Sequence, residues 1–217
     1  MKPLVGALVI AISFTPLAAQ QDVTARLAGR VSPEVAALVQ ELATGAASRG
    51  LPIDPLIQKA IEGSAKGVPA DRVATALRAL TAQLDAAAVA LREAGPVRPD
   101  TDAIAAAAFA LNAGLSARHV TALALASRAP YSVRASLRVA STLAAMGVPA
   151  DQVVELVSQV INAGGTTSEV LGLPTQVMAG VSSGRGVTPA QAAAGLARAA
   201  AARANAPGQQ RPRPSHP

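Results

Sequence analysis

Apolar residues return every three or four positions over most of this chain. Val35, Leu38, Val39 and Leu42 form one stripe, Val73, Ala76, Leu77, Leu80 and Leu84 a second, and Val153, Leu156, Val157, Val160 and Ile161 a third. A period of 3.6 residues places each set on one side of an α-helix, with polar side chains opposite. The spacing predicts helices over 32–48, 54–65, 70–93, 101–112, 117–127, 132–145, 150–162, 167–181 and 189–204.

Between the stripes the same punctuation recurs. Gly67-Val68-Pro69-Ala70-Asp71 returns unchanged as Gly147-Val148-Pro149-Ala150-Asp151, with looser versions at Gly50-Leu51-Pro52, Gly114-Leu115-Ser116, Gly172-Leu173-Pro174 and Gly186-Val187-Thr188-Pro189. In such a corner, Gly takes the left-handed conformation that ends a helix, the next apolar residue packs back on the last turn, and Pro, Ser or Thr opens the following helix. Thr188-Pro189-Ala190-Gln191 adds a capping-box pattern, and Ser32-Pro33-Glu34 an N-cap with Pro at the first helical position. Gly50 to Gly67 and Gly147 to Gly164 are both 17 residues, enough for three helical turns and a corner. Helices that short bury their stripes only against neighbours, so the expected fold is an all-α array of short helical hairpins, a degenerate α-solenoid or helical bundle. The expected regions are a signal peptide over 1–19, hairpin regions over 20–94 and 100–205 about the Gly95–Asp100 break, and a disordered Pro/Arg tail over 206–217.

Composition strengthens the helical reading. Outside the first 20 residues the aromatic side chains are Phe109 and Tyr131 alone, so the interior must come from Ala, Leu, Val and Ile. Ala is the best helix former and lets helix axes approach closely. The opening residues read as an export signal, with Lys2, an apolar run from Leu4 to Phe14 and a small-residue cleavage region ending at Ala19. An uncleaved anchor is the competing reading, but the run is short of the ~20 residues that span a bilayer, and Pro16 interrupts it. Beyond residue 20 no apolar run is long enough to span a membrane. The expected location is therefore periplasmic or extracellular, and the absence of Cys suits an oxidising compartment.

Charge is uneven along the chain. Residues 22–102 carry ten acids against nine Lys or Arg, and residues 103–217 three acids against nine Arg. Arg185, Arg198, Arg203, Arg211 and Arg213 are candidates for an anionic envelope or membrane surface, weighed against solvated charge on an Ala-rich helix and tail. Tyr131 is a candidate anchor for a protein partner, weighed against a corner residue covering the core. Nucleic acid is disfavoured as partner because the cationic density is low and stacking aromatics are missing.

Catalytic patterns find little support. Gly180-Val181-Ser182-Ser183-Gly184 matches a serine-hydrolase nucleophile elbow in letters, yet a helix-forming segment precedes it and no carboxylate follows it. Ser116 and His119 stand one helical turn apart, where an N-cap and a partly exposed surface histidine explain them. Two histidines without Cys, and with no paired spacing on a helix face, leave no metal site. Gly164 to Glu169 suggests either an anion nest or a capped corner. No cofactor is implied. The expected function is a non-catalytic binding or structural module of the cell envelope that grips a protein or peptide.

Overall fold

The computed structural model describes residues 22–95, 98–127, 129–183 and 186–206. Over these residues the chain is all-α, with ten helices and no strand. They are α1 (22–27), α2 (Pro33–Ser48), α3 (Asp54–Ala65), α4 (Ala70–Glu93), α5 (Thr101–Asn112), α6 (Ala117–Ala126), α7 (Val133–Ala145), α8 (Ala150–Asn162), α9 (Thr167–Ser182) and α10 (Pro189–Ala204). The signal segment and the tail beyond residue 206 lie outside the described residues.

Chemistry at the corners sets the helix boundaries. At the end of α7 the Val148 amide donates to Leu143 O (3.1 Å) and the Gly147 amide to Ala144 O (2.9 Å), so both orphan carbonyls are satisfied. Gly147 adopts φ +89°, which an L side chain rarely takes, and Val148 folds back into the core. The duplicate corner has the same pair of bonds, from Val68 to Gly63 O and from Gly67 to Ser64 O, with Gly67 at φ +66°. There the folding back fails, and Val68 stays exposed. N-caps complete the design. Ser32, Asp100, Ser132, Thr166 and Thr188 each accept a bond from the amide three residues on, and the capping box at Thr188–Gln191 forms.

One expected corner is absent. Gly172-Leu173-Pro174 lies inside α9, and Gly172 is not among the positive-φ glycines. Pro174 lacks the amide that would reach Val170 O, a loss that breaks most helices. Here the Thr166–Glu169 box starts the helix firmly, and buried Val170, Leu173 and Val177 hold it together across the proline.

The chain forms two compact units that share α4. The first comprises residues 22–49 and 53–78. In it α2 packs on α3, Arg26 bonds Asp54 at 2.5 Å, and the buried set includes Leu27, Val39, Leu56, Ile57, Val73 and Leu77. A Cβ on Gly63 would stand 2.8 Å from Val73 Cγ2, so this glycine lets α3 and the first turns of α4 close together.

The second unit comprises residues 50–52 and the described chain from 79 onward. Its packing alternates. α5 lies on α7 and α7 on α9, while α6 lies on α8 and α8 on α10, with hairpin partners joined between the two rows. This is a two-layer stack of helical hairpins. Bonds between residues 32 to 34 apart tie successive repeats: Arg134 to Asp102 (2.5 Å), Arg118 to Asp151 (3.1 Å) and Tyr131 to Gly165 (2.5 Å). A repeat of about 33 residues therefore underlies the stack. Alanine makes the close spacing: α5 buries Ala103, Ala106, Ala107, Ala108 and Ala110.

Candidate interaction surface

Tyr131 stands in the corner before α7, after a cis Ala129–Pro130 bond. Its hydroxyl donates to Gly165 O at 2.5 Å, at the corner between α8 and α9, and its ring is half-buried. The tyrosine thus pins the start of α7 beside the start of α9. Tyr131→Phe should lower stability by about 0.5–1.5 kcal/mol, read from the urea unfolding midpoint at unchanged slope.

The Arg-bearing candidates are scattered. Arg203 bonds Glu169 Oε1 at 3.0 Å, and Arg198 Nε donates to Ala194 O on its own helix. Arg185, Arg211 and Arg213 lie outside the described residues. Glu169 also accepts from the Thr166 amide at 2.6 Å, and this bond, with Arg203 beside it, holds its carboxyl below the usual range. The carboxylate thus fills the position that a bound anion would take at the Gly164–Glu169 corner.

Ser182 ends α9 on an exposed turn, and the Ser183 hydroxyl donates to Gly180 O at 2.7 Å. A nucleophile elbow needs a strand, a tight turn and a helix, and the residues before Ser182 are helical.

His119 is partly exposed, with a side chain 12% accessible, and both ring nitrogens are engaged. Its Nδ1 accepts from the Ser116 amide at 3.1 Å, which assigns the ring proton to Nε2, 2.9 Å from Asp151 Oδ1. Arg118 reaches the same oxygen at 3.1 Å. The His119 bond, with Arg118 second, holds the Asp151 carboxyl below its ordinary value of 3.8. A depressed carboxyl stabilises the fold above the unfolded value and loses that effect as pH falls through the folded one. Asp151→Asn should therefore lower the urea midpoint at pH 7, and the difference from wild type should shrink as pH falls from 3.8 through the lower folded value. A difference that does not narrow at all between pH 7 and acid solution would contradict the pairing. Among the described residues no group of three or more His, Cys, Asp or Glu is placed to hold a metal ion.

The surface that sequence reasoning passed over lies on α5, α7 and α9. These helices run side by side from N-caps Asp100, Ser132 and Thr166, and beyond the first turn the exposed positions of α7 fall one residue later than those of α5 and α9. The second position carries Asp102 and Arg134, the fifth or sixth Arg138 and Leu171, and the ninth or tenth Phe109 and Thr142. Met178 stands two turns beyond Leu171. Phe109 is 63% exposed, Leu171 53% and Met178 48%; of the other large apolar side chains described in this unit, Val89 and Leu125 are also exposed, on α4 and α6. The signal was in the phase of α9: Leu171 and Met178, seven residues apart on one face, lie about a third of a turn round the helix from the stripe of Val170, Leu173 and Val177. Nor is any described helix long and apolar enough to cross a membrane.

Comparison with protein-family models, with curated proteins and with solved structures returns no match to this chain.

Proposed function

We propose that the protein is an exported, non-catalytic module of the cell envelope that binds a protein or peptide along the exposed face of α5, α7 and α9. The observation that carries this reading is the exposure of Phe109 on α5 and of Leu171 and Met178 on α9, the two helices that flank α7 in one layer. Repeat stacks offer extended surfaces of this kind, and clustered exposed apolar side chains mark binding sites. The export half of the reading rests on the first 20 residues. Attachment to an anionic surface through the C-terminal arginines draws less support, because Arg203 is already engaged by Glu169.

A photo-cross-linking residue at Thr142, in the middle of the face, tests the binding. In native envelope fractions the account expects a discrete protein adduct from position 142 and none from position 155, on the opposite layer. The adduct should survive high salt and removal of the chain after Asn205. Surface attachment would instead weaken under both treatments. No adduct from position 142, or a chain that fractionates with the cytosol, would contradict the reading.

A further inference from the structure

The side chains around this face define the chemistry of what it binds, an inference that rests on the binding role proposed above. Asp102 and Glu169 are the only carboxylates on α5, α7 and α9. Arg134 holds the first at 2.5 Å and Arg203 the second at 3.0 Å. Arg138 is exposed in the centre of the face and forms no ion pair among the described residues. Of the charges on the three helices, Arg138 is therefore the one left without an ion pair among the described residues, with the Asp100 carboxylate engaged as the cap at the N-terminal edge of α5. Arg138 stands six residues past the cap of α7 and Leu171 five past the cap of α9, on two helices that pack together and whose starts the Tyr131–Gly165 bond ties. The opposite layer differs. There Glu155 is an exposed carboxylate on α8.

We infer that the face takes an acidic amphipathic segment of another protein. Its apolar side chains rest on Leu171, Met178 and Phe109, and a carboxylate between them pairs with Arg138. The dimensions suit such a segment. Leu171 and Met178 are seven residues apart, about 10 Å along the helix at 1.5 Å per residue. Phe109 lies two helix spacings away, about 16–20 Å. A helix of about three turns, or roughly six extended residues, spans that reach. Arginine suits the central role because its planar fork grips a carboxylate through two donors.

The test is a display library of random twelve-residue peptides selected on the full chain, with individual winners measured by fluorescence anisotropy. The expected winners carry Asp or Glu flanked by Leu, Phe or Met. They should lose tenfold or more in affinity on Arg138→Glu, and severalfold on the double variant Leu171→Ala, Met178→Ala, while Glu155→Gln leaves them unchanged. Circular dichroism should match wild type for all of these variants, because every altered side chain is exposed. Winners without acidic residues, or winners that bind Arg138→Glu as tightly, would overturn this assignment and leave peptide binding elsewhere on the chain standing. No enrichment at all would overturn both. Two further outcomes would overturn it in favour of other occupants. One is a concentration-dependent dimer abolished by Arg138→Glu; the other is Arg138-dependent binding to vesicles rich in anionic lipid, with no peptide selected.

Discussion

Replacing Leu156 with Ala lowers the stability of the second unit by about 2–5 kcal/mol. Leu156 is fully buried on α8, and α8 packs on α6, α7, α9 and α10. A side chain enclosed from so many directions leaves a cavity that few neighbours can collapse into, so the cavity cost adds to the lost transfer energy. The same change at Leu171 should stay within about 0.5 kcal/mol, because that side chain faces water. Urea midpoints at constant slope measure both. Equal losses at the two positions would mean that the inner and outer faces have been exchanged.

Gly165→Ala is the second large effect, at about 1–3 kcal/mol or more. Gly165 is buried, and an added Cβ would stand 2.7 Å from both Val160 Cγ1 and the Val160 carbonyl oxygen. The side chain can yield, but the carbonyl accepts the Gly165 amide at 2.9 Å and is fixed by the helix end. Displacing it would also pull Gly165 O from the Tyr131 hydroxyl. Truncating Val160 as well removes the Cγ1 clash and leaves the carbonyl, so the double variant should not recover. Gly147→Ala provides the control. Nothing lies within 4 Å of the Cβ position there, and only the cost of φ +89° remains, about 1–2 kcal/mol. A Gly165→Ala chain as stable as Gly147→Ala would contradict the tight α8–α9 corner.

Helix ends were legible because local chemistry writes them. A Gly followed by an apolar residue and Pro, Ser or Thr settles a boundary within a few residues of chain and opens α3, α4, α6, α8 and α10, and α2 to α10 all start and stop within one residue of the expected bounds. What local chemistry does not write was harder to read. The segment 22–27 is a short helix with no clear capping pattern. Gly172-Leu173-Pro174 carries the letters of a corner, but burial on α7 and α10 outweighs them. The repeat also stayed hidden, since the corner spacing of 17 residues reports one helix, and α4 and the last corner depart from the period. The N-caps of alternate helices at 100, 132 and 166 reveal the repeat.

The site was less legible than the fold, for a related reason. Single residues were weighed by type, and so Tyr131 and the arginines stood out. Tyr131 turns out to tie two corners together, and Arg203 to bond a capping carboxylate. Phe109, Leu171 and Met178 lie 62 and 7 residues apart in sequence and form a surface only through packing of parallel helices. Asp151 and His119 meet for the same reason, across one repeat.

The central claim is that α5, α7 and α9 lie side by side in register, since the exposed face exists only in that arrangement. The chain has no Cys, so nitroxide labels at Phe109→Cys and Thr175→Cys attach only there. Pulsed electron–electron resonance should return one narrow distribution near 20 Å, about two helix spacings. A distribution centred beyond about 35 Å, or split into several populations, would contradict the register and the surface built on it.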